Sequence, residues 1–126
     1  MLMTAVSLLA VSCSDDPDPI TMVKDTGNVA FTQSAEPAQA GKPFKIDVRF
    51  ALPVSCSSFD SFETWKEADT LMVRVWCLRP EHPNCTKEIR YETKSLMHTF
   101  ATAGTHYLKF FRYNDIWYRD TITVVP

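Results

Sequence analysis

Glycine is scarce in this chain, with three glycines against eight prolines in 126 residues. There is accordingly no glycine-rich loop to cradle a phosphate, and the sequence also lacks a serine-centred nucleophile elbow and a helical motif with two histidines. No block of charge predicts nucleic acid binding, and no run reaches the roughly 18 apolar residues of a membrane-spanning helix. We therefore expect a protein that is not an enzyme, needs no cofactor and binds no nucleic acid.

Histidines are also few, and their positions do not predict a catalytic or metal site. His82, His98 and His106 fall in one predicted loop and two predicted strands. None has a second histidine, cysteine or acid at ligand spacing on the same element, and Cys–His catalysis would need a thiol, a base and an orienting group together. We expect His106 to lie at the edge of the core with its ring bonded to a backbone group.

The N-terminal residues have the composition of a secretory leader. Met1–Ser12 is apolar, with small residues at Ala10 and Ser12, and Cys13 is followed at once by the acidic, proline-bearing tract 14–19. Small residues before a cysteine resemble the lipobox of bacterial lipoproteins, in which the cysteine thiol carries a diacylglyceryl group. The acidic tract resembles the export signal of surface-exposed lipoproteins of Bacteroidetes-type bacteria.

This resemblance implies a division of the chain and a cellular location. Residues 1–12 are expected to be a lipoprotein signal peptide, residues 13–27 an acidic tether anchored to the membrane by lipid on Cys13, and residues 28–126 the folded domain. The protein is then expected in the cell envelope as an outer-membrane lipoprotein, with exposure at the cell surface favoured over a periplasm-facing position.

Alternation of apolar and polar residues predicts β-strands throughout the domain. It is strict in residues 43–54 and 70–78 and weaker in 28–33, 85–93 and 96–101. Residues 104–125 are typical of a β-hairpin, because Asn114 and Asp115 tolerate the left-handed backbone of a tight turn. Residues 55–69 lack alternation, and we expect a loop there, or a short helix with Phe59, Phe62 and Trp65 on one face.

About seven short strands separated by turn signals predict an all-β fold. The favoured architecture is an antiparallel, immunoglobulin-like β-sandwich, and a partly open β-barrel is the alternative. Residues 28–125 also resemble small sandwich domains of Bacteroidetes lipoproteins. The shared features are Cys56 followed by Phe59 in a serine-rich loop, the pair Cys85-Thr86, the series Gly104, Leu108 and Phe110, and the run 121–124. The resemblance implies an envelope lipoprotein domain without a specified activity.

Three cysteines remain within the predicted domain. Cys77 continues the inward face of its strand, whereas Cys56 and Cys85 lie just outside predicted strands. Since the leader predicts an oxidising compartment, we favour a Cys56–Cys85 disulfide with Cys77 buried and reduced, and a Cys77–Cys85 bridge is the competing pairing. A zinc site built from Cys77, His82 and Cys85 would lack a fourth ligand, so no metal is expected.

The outward side of the predicted hairpin is unusually aromatic. If the hairpin lies beside strand 70–78, aromatic and cationic side chains share one external sheet face, and such contiguous aromatic surface is unusual on a monomer. The predicted binding residues are Arg74, Trp76, Tyr107, Lys109, Phe111, Trp117 and Arg119. The alternative is that the tether, a loop or residues 55–69 cover this face.

These observations predict a non-catalytic binding or accessory module of the cell envelope. Aromatic rings with cations are typical both of protein-interface anchors and of sugar-stacking surfaces, so the expected ligand is a protein partner or a glycan. The alternative is a structural or assembly subunit that pairs with another chain through an exposed edge strand.

Overall fold

Nine β-strands make up the part of the chain that the computed structural model describes, residues 21–81 and 85–126. They are β1 (Met22–Thr26), β2 (Asn28–Ser34), β3 (Ala38–Gln39), β4 (Pro43–Ala51), β5 (Ser58–Glu67), β6 (Thr70–Pro80), β7 (Tyr91–Thr99), β8 (Gly104–Tyr113) and β9 (Ile116–Val125). Within these residues no helix is long and apolar enough to cross a membrane.

The strands form two sheets that pack face to face, as the sequence predicted. Sheet A has the strand order β1-β6-β8-β9-β3, with β5 on the other side of β6, and sheet B has the order β2-β4-β7. β1 and β8 follow one another along the same edge of β6. Most pairings are antiparallel, but β6 with β8 and β3 with β9 are short parallel pairings.

Alternation correctly predicted which side of β4, β6, β8 and β9 faces the core. The largest fully buried side chains come from both sheets: Phe50, Phe110, Ile46, Leu108, Ile122, Val29, Val48, Val73, Val75 and Cys77. The hairpin turn is also confirmed, because Asn114 and Asp115 have φ of 48° and 59°. A two-residue turn with positive φ at both positions matches the right-handed twist of the flanking strands.

Residues 55–69 are the clearest error of the sequence reasoning, because most of them form β5 instead of a loop or helix. A β-bulge between Phe59 and Ser61 shifts the register with β6 by one residue. Phe59 and Phe62 therefore both pack against the core, although they are three residues apart. Beyond the bulge normal alternation places Trp65 on the opposite face, opposite Met72 of β6.

Part of the predicted tether is also a strand. Met22–Thr26 pairs antiparallel with the end of β6. Gly27, which directly follows β1, is buried where the chain passes from sheet A to sheet B, and its N–H donates to the Val75 carbonyl at 2.9 Å. The folded region thus includes residues that their polar composition assigned to a linker.

The segments 85–93 and 96–101, in which alternation is weak, do not form the two separate strands that the sequence predicted. Residues 85–90 have no regular structure, and Tyr91–Thr99 is a single strand, β7. β7 pairs only with β4, so it forms an edge of sheet B. Of its nine side chains only Leu96 is buried, which explains why its apolar alternation is faint.

A disulfide joins the segment after β4 to the segment before β7. Cys56 and Cys85 are bonded, with their Cα atoms 5.3 Å apart, and Cys77 is free and buried. The favoured pairing is therefore confirmed, and the Cys77–Cys85 alternative is wrong. Backbone hydrogen bonds from Leu52 N–H to the Arg90 carbonyl (2.8 Å) and from Ser55 N–H to the Thr86 carbonyl (3.0 Å) hold the same two segments together.

Candidate binding surface

The outward side chains of β5, β6, β8 and β9 form a continuous surface, which we name the aromatic face. Its members are Trp65, Met72, Arg74, Trp76, Tyr107, Lys109, Phe111, Trp117 and Arg119. Residues opposite each other on paired strands point to the same side of a sheet. The structure therefore places all seven predicted residues on one face, and their binding of a ligand stays a prediction.

Two members of the face were not predicted, and Trp65 is the more important. Its ring makes an edge contact with Trp117 at a centroid distance of 6.1 Å, and Trp117 makes another with Phe111 at 5.3 Å. Met72 points to the same side yet is only 4% exposed, so the side chains around it exclude water from the middle of the face. The β5–β6 turn is formed by Ala68 and Asp69, and Asp69, a turn-forming residue type directly before the predicted strand 70–78, is the sequence signal that could have indicated a hairpin and placed Trp65 here.

Arg74 lies at the centre of the aromatic side chains. Its guanidinium carbon is 5.0 Å from the ring centroid of Phe111, 5.2 Å from that of Trp65 and 5.6 Å from that of Trp76. It also forms an ion pair with Glu63 at 3.6 Å. A guanidinium stacks well on aromatic faces because it is planar and only weakly hydrated. The charge of Arg74 is thus engaged within the face, although its buried Nε finds no acceptor among the described residues.

Strand β1 extends this arrangement by one more cation. The Lys24 ammonium lies 6.0 Å from the Trp76 ring centroid and 3.5 Å from a carboxylate oxygen of Asp60. The side chain of Lys24 comes from the region that the sequence assigned to the tether. Cations and rings therefore alternate from Lys24 through Trp76 and Arg74 to Phe111.

Exposure differs across the aromatic face. Tyr107 is 53% exposed, whereas Trp76 and Trp117 are half-buried. The elements that contact β8 and β9 are other strands of sheet A, together with β2, which packs on the core side. The partial burial of the tryptophans follows from their packing on neighbours within the face, and no described strand lies across it.

Lys109 and Arg119 form the cationic margin of the face. They lie directly opposite each other on β8 and β9. Within the described residues neither has a carboxylate oxygen within 4.0 Å of its charged nitrogens. Beside them is a shallow depression of about 210 Å³, lined by Thr70, Tyr107, Leu108, Lys109, Arg119, Asp120 and Thr121.

The thiol and histidine candidates have structural roles. Burial, reinforced by Glu92, Asp25 and Asp60, raises the pKa of the Cys77 thiol to about 11, so it stays protonated. Since Cys85 is bonded to Cys56, a zinc site using Cys77 and Cys85 is ruled out, and His82 lies outside the described residues. No group of three or more histidine, cysteine or acidic side chains in residues 21–81 and 85–126 is placed to hold a metal.

The other two histidines flank one phenylalanine at the end of the sandwich. The ring of Phe100 lies 4.6 Å from that of His98 and 4.8 Å from that of His106. Nε2 of His106 is 2.7 Å from the Thr102 carbonyl oxygen, which confirms the predicted backbone partner. Burial lowers the pKa of His98, with smaller contributions from Lys66 and His106.

Comparison with known proteins assigns the fold family and goes no further. The family model of the ORF11 beta-sandwich domain matches residues 46–124. The match runs from within β4 to Val124, the last residue but one of β9, so it covers the part of each of the four strands that carries the aromatic face. No curated protein and no solved structure matches the chain significantly.

Proposed function

The chain belongs to the ORF11 beta-sandwich domain family, and from that premise we propose that it is a non-catalytic binding module of the cell envelope that uses the aromatic face to hold a ligand. The observation that carries the proposal is the connected set of three tryptophans and a phenylalanine on the outer side of sheet A. Large aromatic side chains with arginine among them are typical of anchors in protein interfaces and of sugar-binding surfaces.

The two outer faces of the sandwich differ in a way that supports this proposal. On sheet B the outward positions of β4 are Lys45, Asp47 and Arg49, and Asp47 bonds to Ser95 of β7 and to Lys45. Polar side chains of this kind suit a solvated sheet. Sheet B also exposes Phe31, Tyr91 and Met97 on its outer side, but no ring-to-ring contact joins them among the described residues. On the outer side of sheet A, by contrast, the rings contact one another and surround Arg74.

The proposed location rests on the N-terminal sequence together with the disulfide. Cys13 lies outside the described residues, so its acylation remains a proposal from the lipobox resemblance. The Cys56–Cys85 disulfide supports the envelope, because disulfides persist in oxidising compartments and are rare in the cytosol. We propose an outer-membrane lipoprotein with its sandwich domain exposed at the cell surface.

The test compares Trp117→Ala with Tyr91→Ala. Tyr91 is a matched control, since it is an exposed aromatic residue on the outer side of sheet B that stacks with Arg49. Trp117 contacts two rings, so its removal is expected to lower stability by about 1–3 kcal/mol and to leave the protein folded. Wild type and both variants are applied to a glycan array and crosslinked to envelope proteins on intact cells.

Loss of a glycan or protein signal in Trp117→Ala, with the signal kept in Tyr91→Ala, is the expected result. If all three proteins give the same signals, or if wild type binds neither glycans nor envelope proteins, the aromatic face is only packing. Thermal melting of each variant separates loss of binding from loss of the fold.

A second candidate function, assembly through an edge strand, is favoured by β7 and not by β9. Two N–H groups at the free edge of β9, those of Thr121 and Thr123, already donate to the carboxylates of Asp120 and Glu36 at 2.8 and 2.9 Å. β7 is an edge strand of nine residues whose Met97 is 56% exposed. Sedimentation at increasing concentration tests this candidate, and a constant monomer mass excludes self-assembly.

A further inference from the structure

The pairing of Lys109 with Arg119 is unfavourable without a ligand. Like charges directly opposite each other on antiparallel strands repel, and each such pair lowers the stability of the sheet. Elsewhere in sheet A, Arg74 is compensated by Glu63 and Lys24 by Asp60. Lys109 and Arg119 have no such partner within the described residues, so their charges remain available to an anion.

The depression beside this pair also presents an aromatic ring and hydroxyl groups to a ligand. Tyr107 stands at its rim with half of its surface exposed, and Thr70 and Thr121 contribute hydroxyl groups. The one carboxylate in the lining, that of Asp120, already accepts hydrogen bonds from Thr32 Oγ1 at 2.6 Å and from the Thr121 N–H at 2.8 Å. An anion therefore meets two cations, an aromatic ring and two hydroxyls, with the nearby negative charge partly neutralised.

We propose that this depression binds an acidic saccharide, in which Lys109 and Arg119 hold a carboxylate or sulfate ester and Tyr107 stacks on the sugar ring. The inference rests on the proposed function and specifies its ligand class. A guanidinium binds a planar carboxylate with two parallel hydrogen bonds, and an ammonium adds a point charge. The hydroxyls of Thr70 and Thr121 suit sugar hydroxyls, and a cavity of about 210 Å³ suits one ring of a longer chain.

The proposal accounts for the position of the cationic pair relative to the aromatic rings. Lys109 lies two residues from both Tyr107 and Phe111 on β8, and Arg119 lies two residues from Trp117 on β9. Residues two apart on a strand share a face. Neighbouring rings of the same saccharide chain are thus placed to reach Trp117 when the acidic ring is at Tyr107.

The experiment is calorimetric titration of the whole chain with tetragalacturonic acid and with its carboxyl-reduced, neutral counterpart. The acidic tetramer should bind at least about 10-fold more tightly, and its affinity should fall as salt is raised. Chondroitin 4-sulfate oligosaccharides and their desulfated forms distinguish recognition of a sulfate ester from that of a carboxylate. Sodium sulfate alone serves as the probe for simple anion binding.

Three variants and one control locate the site. Lys109→Gln, Arg119→Gln and Tyr107→Ala should each weaken acidic binding by about 10-fold or more, whereas Lys45→Gln, a surface lysine of sheet B, should not change it. Unliganded Arg119→Gln should melt no lower than wild type, because the substitution removes a like-charge repulsion.

Several outcomes would overturn the inference without touching the proposed function. Equal binding of acidic and neutral tetramers, abolished in both cases by Trp117→Ala, would show a neutral-glycan face. Equal affinity for sodium sulfate, or for vesicles containing anionic phospholipid, would show that only charge is recognised. If no saccharide binds wild type, the proposal of an acidic-saccharide site is wrong. Crosslinking to envelope proteins still decides whether the aromatic face binds a protein partner.

Discussion

Gly27→Ala is the substitution whose effect the structure defines most sharply. Gly27 is the single residue between β1 of sheet A and β2 of sheet B. A Cβ placed there would lie 3.0 Å from Phe50 Cδ2 and from Val75 Cγ1, and 3.3 Å from Cys77 Sγ. Because these neighbours belong to both sheets, one added methyl group would push the two layers of the sandwich apart where the chain crosses between them.

The expected change in the free energy of unfolding is the balance of two contributions. Overpacking a well-filled core by a methylene or methyl group costs about 1–3 kcal/mol. Alanine gains about 0.4–1 kcal/mol relative to glycine, because it restricts the unfolded chain, and Gly27 does not have a left-handed φ that alanine would resist. We expect a net loss of about 1–2 kcal/mol, which lowers the melting temperature by about 4–8 °C per kcal/mol in a domain near 100 residues.

Urea unfolding of wild type, Gly27→Ala and Gly41→Ala measures this effect. Gly41 is the contrasting control, because a Cβ there would meet no atom within 4 Å but its φ of 79° strains an alanine. In a Val75→Ala background, which removes one of the colliding methyl groups, Gly27→Ala should cost less than in wild type. A Gly27→Ala protein as stable as wild type, or additive effects in the double variant, would refute the packing argument.

Three further predictions follow from the leader, the disulfide and His98. Metabolic labelling with a palmitate analogue should mark wild type and not Cys13→Ala, and labelling that survives the substitution rejects the lipoprotein prediction. Cys56→Ala should lose roughly 3–4 kcal/mol of stability, since the bridge spans a sequence separation of 29 residues, and non-reducing peptide mapping should recover Cys56 joined to Cys85 in wild type. Because the pKa of His98 is lowered in the folded state, the unfolded chain binds the proton first as pH falls below about 6.5, so stability should decrease with falling pH. His98→Gln should flatten this dependence in denaturant titrations, and an unchanged pH profile would contradict it.

The parts of the fold that the sequence could predict are the strands and the turn whose own residues show a clear pattern. Phe44 to Leu52 and Leu71 to Cys77 alternate so regularly that their inward faces follow from period two alone. Asn114 and Asp115 carry the turn chemistry of a two-residue hairpin in their side chains. These signals are local, because side-chain direction in a strand depends on neighbours one and two residues away.

The missed elements depend on neighbours that are distant in sequence. β1 is polar and half-exposed because it pairs with only the end of β6, so nothing in Met22–Thr26 identifies its partner. The bulge in β5 breaks the alternation on which the prediction relied. Both omissions affected the site, since they concealed Lys24 and Trp65.

The sequence likewise could not predict the central position of Arg74. Alternation placed Arg74 and Phe111 on the outer side of their strands, but only the register between β5, β6 and β8 decides which rings surround the guanidinium. That register is set by the β5–β6 turn and by the short parallel pairing of β6 with β8. A sequence gives the side on which a residue lies, and pairing determines its neighbours.

The Cys56–Cys85 disulfide also changes the order in which this topology can assemble. β4 and β7 are adjacent in sheet B, although about 40 residues separate them along the chain. Through the disulfide the path from Ala51 to Tyr91 shortens to about a dozen residues. Since loop-closure entropy rises with the logarithm of loop length, this lowers the cost of bringing β4 to β7 by about 1 kcal/mol. Formation of the disulfide thus makes the β4–β7 pairing almost as local along the chain as that of a hairpin with a long loop. Sheet B can then form before β1 and β8 pair with β6.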